Sequence, residues 1–382
     1  MTKLYQEGLE ILLRRSQQTQ HSQADFFYRD LPLSEKLNLL GLLAATLLEK
    51  GQFYVEKADI ISIIYQHLQE NFSAQLNGTD LFLKSETILQ AIQLQHGLLV
   101  EQAKNIFSFS HLTFQEYLAA RYLVNRITAT DQTDQLKAIA KRIQDPRWIE
   151  VIRLMLALFP VADQFLQYLK QLIDQIVWTD PALSPLLSLV AEKANSVPSP
   201  YPTAAVRSYY FGLIFVRDLN LVSLITQGMV SNLYPEMALD LYLVRLYEQI
   251  TALTSAPSTD TLINLALAFD LENRFALNAS LRSGLKTLRG ELVEALLTPE
   301  TLSDWWQRQG TAWQDSLTNL LQTERHLPLA MGLNTAQRHT LQQYYVNNLF
   351  LLECLNGDCR VSPLVKEQLT SEILTPSVAV SA

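Results

Sequence analysis

The chain has 382 residues, 48% of them hydrophobic and 18% charged, with 38 acidic against 30 basic side chains and a formal charge of -8. That composition suits a folded protein of two or more domains and excludes a disordered chain, and the acidic balance argues against a wholesale electrostatic grip on nucleic acid. Two cysteines exclude a disulfide framework, and the apolar run Leu154 to Ala162 is too short for a membrane span and contains Pro160. The N-terminus, MTKLYQEGLEILLRRSQQ, lacks the charged n-region and long apolar stretch of a secretory signal, so the cytoplasm is the expected compartment.

Apolar residues at Leu4, Leu9, Leu12 and Leu13 predict an amphipathic helix that ends in the polar run Ser16 to Gln20. Pro32 opens the next unit, with Ser34 as the expected cap of a helix through Leu37, Leu40, Leu43, Ala44, Leu47 and Leu48 that Gly51 closes. A second helix is predicted over Lys57 to Asn71 and a third over Ser85 to Leu94. A groove-reading helix needs Arg, Lys, Asn or Gln toward the bases and phosphate contacts beside it; Ser85 to Leu94 has no Lys or Arg and carries Glu86, so DNA binding is not expected.

The stretch GLLVEQAKNIFSFSHLTFQEYLAARYLV, Gly97 to Val124, organises what surrounds it. Leu98 to Glu101 and Ile106 to Ser110 read as the strands of a β-hairpin, with Asn105 able to take a left-handed turn position. Three helices followed by this hairpin give the order of a winged helix. Thr113 and Glu116 have the spacing of a capping box for the next helix, on which Phe114, Tyr117, Leu118 and Tyr122 share a face and Ala119 and Ala120 admit a close neighbour. His111 falls in the seam between strand and helix, where an anion would feel both imidazole and helix N-terminus.

Beyond Arg126, the segment to Val197 reads as several helices with an apolar stripe at Trp148, Ile149, Ile152, Leu156 and Phe159, punctuated by Pro160, Pro181 and Pro185. Val197 to Pro202 is the clearest linker. Ala204 to Leu297 is again helical, and its Asp-Leu pairs at Asp218, Asp240 and Asp270 are too unevenly spaced for more than a degenerate array. A last unit places Trp305, Trp306, Trp313, Tyr344 and Tyr345 as packing aromatics, and the end from Thr375 is expected to fray.

The order F-x-F-x-H-x-x-F-Q-E-Y-x-A-A, carried by Phe107, Phe109, His111, Phe114 to Glu116 and Ala119-Ala120, resembles the closing part of the winged-helix domain of NACHT-family NTPases. YQEGLEILL at Tyr5, YPTAAVRSYYF at Tyr201 and LQQYYVNNLFLLECLNGDCRVSPLV at Leu341 extend the likeness to cyanobacterial NACHT proteins, from just behind the nucleotide-binding core to their C-terminus. The resemblance implies a mainly α fold: the end of a helical subdomain at residues 1–30, a winged helix at 31–125, a helical linker region at 126–200, a sensor-like helical region at 203–300 and a C-terminal helical domain at 301–382. It also gives His111 the role of contacting nucleotide phosphates in the closed state, and implies a signal-transduction or defence switch with a P-loop NTPase core, or a further copy of the chain, as partner. The alternative is a free-standing helical interaction scaffold that does not switch on nucleotide.

The chain has no G-x-x-x-x-G-K-[ST] motif and no apolar run ending in an acidic pair, so the chemistry that wraps, neutralises and positions ATP phosphates is missing; it is not expected to be an enzyme by itself. Any ATP or ADP contact would be made with a NACHT core supplied in trans. Cys354 and Cys359, separated by four residues, have a spacing permissive for zinc, and His326 and His339 could complete a tetrahedron. The plainer reading is two reduced thiols about an Asn356-Gly357-Asp358 turn.

Overall fold

The computed structural model describes residues 2–15, 26–72, 78–130, 133–226, 234–253, 257–297, 299–329 and 331–375. The polar run Ser16 to Gln20 and the end beyond Thr375 lie outside the described residues. The fold is mainly helical with one small sheet, and it divides into two compact units: Met1–Leu172 with Cys354–Lys366, and Ile173–Glu353 with Glu367–Ala382. No helix among the described residues is long and apolar enough to cross a membrane.

The first unit opens with α1 (Thr2–Arg15) and α2 (Phe26–Asp30), the second too short to leave a periodic signal. Helix α3 (Leu33–Lys50) buries Leu37, Leu40, Leu43, Ala44, Leu47 and Leu48, the stripe expected of it. Its start differs from expectation. The Pro32 carbonyl accepts from the N–H groups of Glu35 and Lys36, so Pro32 with its pre-set φ of -54° occupies the cap and Ser34 lies inside the first turn. Gly51, at φ 65°, closes the helix in the left-handed position, where it donates to the carbonyls of Leu47 and Leu48.

Helix α4 (Lys57–Phe72) follows the short strand β1 (Val55–Glu56). Helix α5 (Gly78–Ala91) begins at Gly78 rather than Ser85, because Ser85 is fully buried and its hydroxyl bonds back to the Leu81 carbonyl at 2.7 Å. A π turn at Ile92–His96 widens its end. Strands β2 (Leu99–Ala103) and β3 (Ile106–Phe109) then form the hairpin in the register Leu99 with Phe109 and Glu101 with Phe107. Asn105 sits at φ 61°, its N–H held by the Glu101 carboxylate at 2.8 Å. Val55 of β1 pairs with Phe107, which makes β3 the central strand of a three-stranded sheet in the order β1-β3-β2. Two residues are too few to show strand alternation in sequence.

Helix α6 (Leu112–Thr130) packs on α3 and on α8 (Pro146–Leu158), with α7 (Thr133–Ala140) between them in sequence. Gly41 permits the α3 contact, since a Cβ there would lie 2.7 Å from the Tyr122 Cβ and 3.0 Å from the Leu118 carbonyl oxygen. Asp145 caps α8 by accepting from the Arg147 N–H, with Pro146 opening the first turn.

Beginning in the C-terminal part of α9 (Asp163–Trp178), the second unit contains α10 (Leu183–Ser196), α11 (Thr203–Phe211), α12 (Asn220–Thr226) and α13 (Pro235–Thr251). Helices α14 (Thr259–Ala268), α15 (Ala279–Leu296), α16 (Pro299–Arg325), α17 (Thr335–Asn356) and α18 (Pro363–Ser371) follow, the last two shared between the units by sequence. Every residue from Ala204 to Phe211 is buried. Three of its polar side chains are matched: Arg207 donates to the carbonyls of Ser371 and Ile373, Tyr209 to that of Met237, and Tyr210 to the Asp240 carboxylate at 2.6 Å, while the buried Ser208 hydroxyl has no partner among the described residues. Trp306, Trp313, Tyr344 and Tyr345 are buried as expected of packing aromatics, while Trp305 is half-buried. Asp218 accepts from Tyr345 and from the Asn220 N–H, Asp240 is an ion-pair centre, and Asp270 follows α14, so the three Asp-Leu pairs do unrelated work and mark no repeat.

Candidate functional site

His111 stands between the end of β3 and the first residue of α6, and its side chain is exposed. The hairpin fixes its approach, because the Ser110 N–H donates to the Leu98 carbonyl at 2.9 Å. The His111 carbonyl accepts from the N–H groups of Phe114 and Gln115, so His111 is itself the residue that enters the helix. The imidazole rests edge-on against the Phe114 ring, 5.7 Å between centroids at 71°, which holds it at the mouth of the helix. A 19-residue helix directs the positive end of its dipole at that point.

The expected capping box does not form. The helix starts at Leu112, which places Thr113 inside the first turn, and Glu116 turns toward α8. Burial, with Glu150 of α8 as the second cause, pushes the Glu116 carboxyl up to about 7. Gln115 is buried, and Tyr117, Leu118, Ala119 and Ala120 form the inner face. Thus F-Q-E-Y-x-A-A is a packing pattern that anchors the helix, and His111 is the member of the signature left facing outward.

Cys354 lies buried in α17 and Cys359 is half-buried beyond its end; both belong to the first unit, whereas the exposed His326 and His339 belong to the second. Among the described residues no three His, Cys, Asp or Glu side chains are gathered where a metal ion could sit, so the four are not brought together as a zinc tetrad. Burial, and then Asp163, push the Cys359 thiol up to about 11, which favours the protonated form. Local ties account for the turn that carries Cys359: Ala162 donates to the Arg360 carbonyl and Ser362 to the Asp163 carboxylate.

Glu150 and Gly41 were not legible as parts of this site. A lone Gly within LNLLGLLAATLL signals a close helix approach, but it does not name the approaching helix. No residue type in α8 announces that Glu150 faces another carboxyl.

Residues 1–123 match the family model described as the winged helix-turn-helix domain C-terminal to NACHT, and residues 281–376 match that of NACHT C-terminal helical domain 2. No curated protein and no solved structure matches the chain. The first match ends within α6, past His111, and the second runs from α15 through α18. With a winged helix ahead of a C-terminal helical domain, both of the kinds that follow a NACHT core, the chain is the C-terminal portion of a NACHT protein.

Proposed function

We propose that this chain is the regulatory portion of a nucleotide-controlled NACHT switch used in signal transduction or defence, in a reducing compartment such as the cytoplasm. The observation that carries the reading is the exposed His111 imidazole, braced by Phe114 at the N-terminal mouth of α6. A phosphate placed there would accept from the imidazole and from helix N–H groups, and would lie in the favourable field of the helix dipole. The phosphates themselves are brought by a NACHT core, with the winged helix closing over them. Both cysteines being free thiols supports the reducing compartment.

The test is calorimetric titration of ADP and ATP into the chain joined to its NACHT core, and into the same protein with His111→Ala. Loss of one charge-assisted hydrogen bond weakens nucleotide binding about tenfold. Unchanged affinity in the variant would remove His111 from the switch and leave the chain as a helical interaction scaffold.

A further inference from the structure

The second unit contains a cavity of about 400 Å³ between α10 and the end of α16, floored by the buried Leu327 and Pro328 and flanked by Met331 and the rim residue Leu189. That size lies within the range of small-molecule sites. Its polar lining is Glu192, Lys193, Ser196, Gln322 and His326. Lys193 reaches the cavity with its alkyl stem, but its ammonium is turned onto the Asp240 carboxylate at 2.9 Å and over the Tyr210 ring, and the residue is only 4% exposed. Ser196 donates its hydroxyl proton to the Lys193 carbonyl at 2.8 Å. Gln322 donates from its amide nitrogen to the Leu329 carbonyl at 2.7 Å. What remains is mixed: the Ser196 lone pairs and the Gln322 carbonyl oxygen accept, the second Gln322 N–H donates, and the exposed His326 imidazole on the same lining can do either, so the fixed charge of the site is set by Glu192. Glu192 completes the rim, and among the described residues its carboxylate has no ion-pair or hydrogen-bond partner. Nearby charges do not change the sign, since Lys193 and Arg325 are matched by Asp240 and Glu236.

We infer that this cavity is a binding site for a small amphipathic amine, its apolar body on Leu189, Leu327, Pro328 and Met331 and its ammonium donating to Glu192, Ser196 and Gln322. A carboxylate or phosphate in the same place would face the unmatched Glu192 carboxylate. The inference is independent of the nucleotide switch and of His111.

The experiment uses the full 382-residue chain with methyl-labelled methionine, and follows the Met331 methyl resonance during titration with tryptamine, tryptophol and indoleacetate. Tryptamine shifts Met331 saturably, tryptophol binds about tenfold more weakly, and indoleacetate binds least. Glu192→Gln, at an exposed position that does not threaten folding, weakens tryptamine about tenfold and leaves tryptophol unchanged. Leu189→Trp, on the 41% exposed rim, abolishes the shift by filling the cavity. Equal affinity for the three probes, the absence of a saturable Met331 shift, or indifference to Glu192→Gln would overturn the assignment.

Discussion

Two titratable groups in the first unit give opposite slopes of stability against pH. His96, 5% exposed, follows α5, lies tilted against the Tyr28 ring and donates through Nδ1 to the Leu12 carbonyl at 3.3 Å, which ties α1 to the winged helix. Burial holds its pKa down at about 4, so between pH 6.5 and 4 the unfolded chain binds the proton that the folded chain refuses. Stability is therefore fully present above 6.5 and falls as pH drops toward 4, by on the order of 3 kcal/mol. Glu116 works the other way. Its carboxyl is pushed up to about 7 from an ordinary value of 4.5, so the folded state holds the extra proton and stability falls as pH rises through that interval. Thermal unfolding from pH 4 to 8 separates the two: His96→Phe flattens the acid limb, and Glu116→Gln raises stability above pH 7 by up to about 1 kcal/mol, given the screening of a half-exposed carboxyl. An acid limb that persists in His96→Phe would assign it to other groups.

At the scale of elements, the placement of α6 depends on one missing side chain. Alanine at Gly41 would gain about 1 kcal/mol of helix propensity, but its Cβ would lie 2.7 Å from the Tyr122 Cβ, an atom fixed to the α6 backbone that cannot rotate away. Overpacking of this kind costs about 1–3 kcal/mol, so Gly41→Ala is net destabilising and lowers the urea midpoint at unchanged slope. Gly290, in α15, is the contrast. A Cβ there meets nothing within 4 Å, so Gly290→Ala stabilises by about 0.5–1 kcal/mol. If both changes acted in the same direction, the close α3 and α6 approach would not be what Gly41 serves. The same physics marks what could be read from sequence. The α3 stripe, the Gly51 cap, the hairpin and Asn105 were legible because each depends on residues within a few positions. The early start of α5 and the β1 pairing were not, since burial decides the one and a partner distant in the chain the other, while at the start of α3 two neighbouring residues, Pro32 and Ser34, both suit the cap and the sequence does not choose between them.

Over the whole molecule, the blocks that carry the family likeness turn out to be the buried polar parts of the core as much as any surface. YPTAAVRSYYF is the clearest case, because Tyr210 leads into the centre that joins α10, α11, α13 and α16: Asp240, fully buried, accepts from Tyr210 at 2.6 Å, Arg325 at 2.6 Å and Lys193 at 2.9 Å. Sequence gave Asp240 no more weight than Asp218 or Asp270, since its partners lie 30, 47 and 85 residues away. Burial lowers the Lys193 pKa while Asp240 raises it, so the ammonium depends on that carboxylate to stay charged. For Arg325, burial alone would lower the pKa, but the bonds to Asp240 and Glu236 together outweigh it. Asp240→Asn keeps the shape and removes the charge, leaving a buried ammonium and guanidinium with only Glu236 between them. Breaking a buried ion centre in this way costs about 3–5 kcal/mol. Hydrogen exchange should therefore show protection lost across α10, α11, α13 and α16 in that variant, while the α3 and α6 amides, which have their own core in the other unit, keep theirs. A loss of less than about 1 kcal/mol would mean that water reaches Asp240 in solution, and that the centre is a surface ion pair in all but position.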